Sequence, residues 1–111
     1  MAFIKLYRKK LQENYAFLDD VFKSRDIQWG VVSKLLCGNK IYLKEIIALG
    51  VREIHDSRVS NLKKIKALDP GIQTVYIKPP AKRSIENIVR YADISFNTEV
   101  YTIQLLSDEA V

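Results

Sequence analysis

The sequence predicts an α/β fold of consecutive parallel βαβ units. Short apolar runs alternate with amphipathic helical stretches along the whole chain, and the strand-like runs recur at about 20- to 30-residue spacing. Glycine, proline and capping residues fall between them, at Gly50, Asp69-Pro70-Gly71 and Pro79-Pro80. The chain has 111 residues, 48% hydrophobic and 28% charged, which is the size and composition of one globular domain with a real core.

In order, Ala2 to Leu6 is a candidate first strand. Residues 8 to 24 place Leu11, Tyr15, Leu18, Val21 and Phe22 at helical spacing. Trp29 to Ser33 is an apolar run that reads as a second, buried strand. Asn39 can cap the helix that follows, whose apolar stripe is Ile41, Leu43, Ile46, Ile47 and Leu49. Gly50 suits the end of that helix, because glycine adopts the left-handed conformation cheaply. Val51 to His55 is the third strand and Val59 to Leu68 the third helix. Ile72 to Ile77, rich in β-branched and aromatic residues, is the fourth strand. It ends at Pro79-Pro80, since proline cannot donate to a ladder. Ser84 to Tyr91 is a short helix, Asp93 to Phe96 a fifth strand, and Thr98 to Asp108 the last helix.

Composition narrows the function classes. The net charge is +5, from 18 basic and 13 acidic residues, and would suit an anionic ligand or a phosphate. The basic residues are spread over helical segments. Their densest groups, Lys5 with Arg8 to Lys10 and Lys63 to Lys66, read as solvated faces, so nucleic-acid binding is the weakest of the readings weighed. With one cysteine and one histidine, neither an intrachain disulfide nor a zinc-ligand set can form. A reduced, cytoplasmic setting fits, with no membrane partner: no apolar run has the length of a span, and Met1 to Lys10 lacks the pattern of a secretory signal. There is no Gly-rich phosphate loop and no Gly-x-Ser-x-Gly elbow.

In parallel sheets, ligands gather where the carboxyl ends of the strands meet the loops. The second strand ends on Lys34, the third on His55, Asp56, Ser57 and Arg58, the fourth on Lys78 and Pro79, and the fifth on Asn97 and Glu99. Lys34 is the most informative of these. An ammonium at the end of an interior strand is costly to bury unless something pairs or neutralises it. A lysine in such a site can lose its proton and form an imine with an aldehyde. Basic and hydroxyl neighbours would suit an aldehyde cofactor carrying a phosphate, of which pyridoxal phosphate is the obvious case. Arg58 and Lys78 could place charge near the ring oxygen or a substrate carboxylate, and Asn97 could hydrogen-bond. Asp56 and Glu99 are not spaced as an acid–base pair. His55 reads as structural and Cys37 as a small packing residue near the rim.

A family pattern lies in the same residues. Val32-Ser33-Lys34-Leu35-Leu36-Cys37-Gly38, then Gly50-Val51, then Asp56-Ser57-Arg58 with Asn61, then Arg90 to Glu99, resemble the amino-terminal part of the alanine racemase-like, fold-type III pyridoxal phosphate enzymes. The nearest branch is the predicted amino-acid racemases similar to ornithine racemase, with a Lys-x-x-Cys-Gly turn and an Asp-Ser-Arg element. The resemblance implies the first five or so strands of a (β/α)8 barrel of the TIM type, over residues 1–111. It implies Lys34 as the catalytic, cofactor-binding lysine, and Cys37, Asp56, Ser57, Arg58, Lys78 and Asn97 as further cofactor-binding positions, with no metal. The substrate implied is a free amino acid. Where the family leads one to expect an arginine on the fourth strand this chain has Lys78, which cannot reproduce a bidentate fork. Alanine racemases proper carry a tyrosine four residues after the lysine; here Gly38 stands there.

A complete barrel takes about 250 residues. The expectation is therefore an amino-terminal piece of a racemase, cloned or truncated, that lacks turnover alone. A homo-oligomer is expected to cover its open edges. The competing reading is a non-catalytic pyridoxal phosphate-binding homeostasis protein that keeps the lysine without racemising.

Overall fold

The computed structural model describes residues 1–111. Helix α1 (Arg8–Lys23) precedes strand β1 (Val31–Val32), a 3-10 turn (Lys34–Leu36) and α2 (Lys40–Ala48). Strand β2 (Glu53–Asp56), α3 (Val59–Leu68) and β3 (Gln73–Tyr76) follow. A second 3-10 turn (Lys82–Ser84) leads into α4 (Ile85–Tyr91), β4 (Ile94–Ser95) and α5 (Val100–Ala110).

The four strands form one sheet in the order β1-β2-β3-β4, and all three pairings are parallel. Consecutive strands lie side by side with a helix in each crossover, as short connections dictate. Val31 stands opposite Ile54, Ile54 opposite Thr74, and Val75 opposite Ile94. The helix boundaries follow the sequence signals. Asn39 caps α2, its Oδ1 accepting from Ile41 N at 3.0 Å and Tyr42 N at 3.3 Å. Gly50 follows α2 at φ +95°, and Asp69 Oδ1 accepts from Gly71 N at 2.8 Å just past α3.

The expected first strand is a correction: the sheet has four strands, not five, and residues 1–7 carry no strand. β-propensity yields a strand only where a partner edge is in reach. Here the segment is drawn onto the helix layer instead. Tyr42 Oη of α2 donates to Ile4 O at 2.7 Å, and Arg8 grips Glu45 of α2 through bonds of 2.8 and 2.6 Å.

The core lies on one side of the sheet, between it and α2, α3 and α4. Leu43 and Ile46 of α2, Leu62 and Ile65 of α3, and Ile88 of α4 meet Val51, Ile54, Ile72 and Tyr76. At full burial, a side chain such as Leu62 contributes about 2 kcal/mol. Helix α1 buries no residue fully and packs at the margin, where Tyr15 and Phe22 flank Trp29 with ring centroids 5.3 and 5.1 Å away. The opposite face of the sheet has no helix over it. By strand alternation it carries Val32, His55, Val75, Ile94 and Phe96, of which Val32, Ile94 and Phe96 are 51%, 42% and 54% exposed. The molecule is accordingly a slab, 44 × 42 × 23 Å. Its radius of gyration of 15.3 Å exceeds the roughly 13 Å of a compact domain of this length. No helix is long and apolar enough to cross a membrane.

Candidate functional site

The carboxyl ends of the four strands come to one rim, and the last ladder bonds fix their level. Ser33 N donates to His55 O at 2.9 Å, Ile77 N to Asp56 O at 3.1 Å, and Phe96 N to Tyr76 O at 2.9 Å. Continuing the register, Ser33, Asp56, Tyr76 and Ser95 form one row and Lys34, Ser57, Ile77 and Phe96 the next. Alternation then divides the two rows. The first shares its side with Val31 and Ile54 and faces the helices. In the second, Phe96 shares its side with Val32 and His55 and faces the uncovered side, whereas Lys34 follows Ser33 at ψ 2° and opens a 3-10 turn, outside the alternation.

Lys34 is exposed, one residue beyond the last β1 ladder bond, and its ammonium is in none of the six ion pairs. It opens a 3-10 turn closed by Leu36 N to Ser33 O at 2.9 Å and Cys37 N to Lys34 O at 3.2 Å. Cys37 (φ +51°) and Gly38 (φ +70°) then pass through the left-handed region in succession. The Cys37 thiol is exposed rather than packed, as the left-handed backbone turns it out of the turn, and its Sγ lies 3.8 Å from Leu35 O.

Asp56 is 0% exposed and belongs to the helix-facing row. A buried carboxylate is tolerated only when donors surround it. Here Ser33 Oγ donates to Oδ2 at 2.9 Å, while Arg58 N and Asn61 Nδ2 donate to Oδ1 at 2.9 and 3.1 Å. The Arg58 bond is an Asx turn that launches α3. Ser57 is half-buried and Arg58 exposed. Lys78 is likewise exposed, past the end of β3, and neither Arg58 nor Lys78 is ion-paired. Tyr76 joins the core from the Asp56 row, and burial pushes its phenol above the ordinary value.

Asn97 stands past β4 and lines an open cleft of about 570 Å³ with Ile77, Pro79, Ser95, Phe96 and Thr98. Its Nδ2 donates to Ser95 O at 3.1 Å and to Ser95 Oγ at 2.9 Å. Its Oδ1 is buried without a partner, the one such side-chain atom in the chain. An unpaired buried acceptor is costly, and the bond to Ser95 Oγ, in the helix-facing row, keeps the amide turned away from the open side of the rim. Glu99 flanks α5 without capping it.

His55 lies two rows below Lys34 and turns away from the rim: its Nε2 meets Glu53 Oε1 at 2.6 Å, and Gln28 Nε2 donates to Glu53 Oε2 at 3.1 Å. Gly30 makes room for this pair, since a Cβ there would lie 2.7 Å from His55 Nε2. Sequence reasoning did not find the Glu53 partnership or the Ser33–Asp56–Asn61 linkage. The second left a signal. Asp56 shares strand parity with the core residue Ile54, which places it among the helices. No group of acidic, histidine or cysteine side chains is arranged to hold a metal ion.

Over 101 residues the chain is 33% identical to ornithine racemase of Acetoanaerobium sticklandii. That stretch is 91% of this chain and 28% of ornithine racemase, so the chain spans just over a quarter of its relative's length. It is a partial homologue of a racemase, an isomerase, with an α/β fold of parallel strands. No protein-family model matches the chain, and no solved structure does.

Proposed function

We propose that the chain is the amino-terminal part of the barrel of a pyridoxal phosphate-dependent amino-acid racemase, acting on a free amino acid of the ornithine or alanine kind in the cytoplasm. The observation that carries the reading is Lys34: an exposed, uncompensated ammonium at the carboxyl rim of a parallel sheet, in a chain homologous to ornithine racemase.

The residues at the rim fit the group. An aldehyde cofactor with a phosphate needs an amine, anion-binding charge and an acceptor for a ring or substrate N–H. Lys34 offers the amine. Arg58 and Lys78 offer charge free of ion pairing, and Asn97 would offer an acceptor by turning its amide from Ser95 toward the rim. When bound, the group withdraws electrons from the substrate α-carbon and so makes its proton removable. The protein's part is to hold the amine of Lys34 at the rim, to neutralise anionic charge with Arg58 and Lys78, and to orient an N–H through Asn97. Because a lysine is a point charge, Lys78 steers an anion without fixing its plane. A parent enzyme would complete the site with further strands and bring a second base; the 111-residue chain alone is expected to bind without turning over. Self-association through the open sheet face belongs to the same reading.

A visible-absorbance titration of the chain with pyridoxal phosphate, beside Lys34→Ala, tests it. The expected result is a new saturable band in the wild type that the variant lacks. The same spectrum from both proteins would contradict the reading.

A further inference from the structure

Resting on the reading of Lys34 as the cofactor lysine, we infer that Asp56 is its positioning residue: one buried carboxylate holds both ends of the turn that carries Lys34.

The entrance to the turn is Ser33, which is 1% exposed. Its N–H is tied to His55 O at 2.9 Å and its hydroxyl to Asp56 Oδ2 at 2.9 Å, and its carbonyl accepts the first bond of the turn from Leu36 N. The exit is Gly38, buried and at φ +70°. Its Cα is packed against Asn61, so closely that a Cβ would collide with Asn61 Oδ1. Asn61, 3% exposed, is held in turn by its Nδ2 bond to Asp56 Oδ1 at 3.1 Å. Ser33, Asp56, Asn61 and Gly38 thus form a chain of contacts from one side of Lys34 to the other. Asp56 also accepts from Arg58 N, so the clamp is anchored to the start of α3 and the end of β2.

The network calls for a short side chain that meets Ser33 on one terminal atom and both Arg58 N and Asn61 on the other. Three donors converge on it, and a carboxylate is an acceptor at every lone pair. The network lies on the helix side of the sheet, where no ligand at the rim reaches it, so Asp56 acts through the backbone and not by contact with a cofactor. Lys34 is long and free in water. What the clamp fixes is the Cα from which its ammonium departs, and a site built on a locked backbone is more precise than one on a loose loop.

The test uses the 111-residue chain, its Ser33→Ala and Asn61→Ala variants and the conservative Asp56→Asn. Amide exchange at Cys37 and Asn39, whose N–H groups bond to Lys34 O and Leu36 O, reports the turn; amides inside α3 report the fold. Labelling by pyridoxal phosphate, fixed with borohydride, reports the share of label on Lys34 against exposed Lys82. Both alanine variants should exchange at least tenfold faster at Cys37 and Asn39, with α3 unchanged, and lose at least threefold in the Lys34 share. Asp56→Asn should stay near wild type, because its oxygen can still accept from Arg58 and Asn61 while its amide donates to Ser33 Oγ. Turn exchange equal to wild type in both alanine variants would overturn the inference, as would faster exchange with the Lys34 share unchanged. A wild-type chain that leaves Lys34 unlabelled counts against the cofactor reading, while the exchange comparison still decides whether Asp56 holds the turn.

Discussion

Single residues around Lys34 divide into those that bear on its chemistry and those that hold its backbone, and substitution separates the two. Lys34 is exposed and unpaired, so Lys34→Ala should change stability by less than about 0.5 kcal/mol, as checked by thermal melting, while abolishing the cofactor band. Asp56→Ala behaves in the opposite way. It strands the Ser33 hydroxyl, the Asn61 amide and Arg58 N in a dry site, and should cost about 3 kcal/mol in denaturant unfolding. Gly38→Ala is the third case. It places a Cβ against Asn61 Oδ1 at a positive φ, and should cost about 2 kcal/mol or more. Part of this was legible in the sequence. Lys34 at a strand end and Gly38 four residues on could be named from order alone. The direction of Asp56 was legible only through parity: a strand end suits ligand or core alike, and the two-residue step from Ile54 is what puts its side chain among the helices. Cys37 shows the same limit: a small apolar residue reads as packed, and the left-handed backbone beneath it turns it outward.

At the level of elements, the strands are short and depend on polar ties at their amino ends as well as on the core. Asp93 immediately precedes β4 and receives two donors, Lys66 Nζ at 2.6 Å and Thr74 N at 2.8 Å, with the Thr74 hydroxyl at 3.3 Å. Burial pushes its carboxyl up, but the Lys66 ammonium and the Thr74 donors outweigh this and hold it below the ordinary value. A carboxyl depressed in the folded state adds stability above its unfolded pKa of about 3.9, and that stability is lost as pH falls through the lower folded value. Melting midpoints should therefore fall with acidification below about pH 4, and Asp93→Asn should both lower the midpoint at neutral pH and flatten that dependence. An unchanged acid limb in the variant would contradict the assignment. The helices were the most legible elements, because their apolar periods and stops are local: α3 runs from Val59 to Leu68, the span its pattern predicts. Strands were less so. Trp29 to Ser33 narrows to the paired Val31–Val32, and Ala2 to Leu6 forms no strand. A strand is defined by its partner, and nothing in a five-residue, mostly apolar stretch says whether an edge will be there.

The whole molecule is a sheet covered on one side. The two edge strands are short, two residues each, which limits edge-to-edge pairing. The bare face is the larger liability, with Val32 and Ile94 exposed on β1 and β4. The chain should therefore self-associate, its average mass in sedimentation rising with concentration, and Val32→Glu with Ile94→Glu should return it to a monomer. A wild-type mass independent of concentration would remove this part of the proposal. The bare face ends at the rim that carries Lys34, so the proposed association surface and the proposed cofactor rim adjoin. Their nearness is why the central claim is best tested at the lysine itself. The direct measurement is peptide mapping of the wild-type chain after exposure to pyridoxal phosphate and borohydride. The account predicts that the label concentrates on the peptide containing Lys34, well above the other exposed lysines. Label spread evenly over Lys34, Lys40, Lys78 and Lys82 would contradict it.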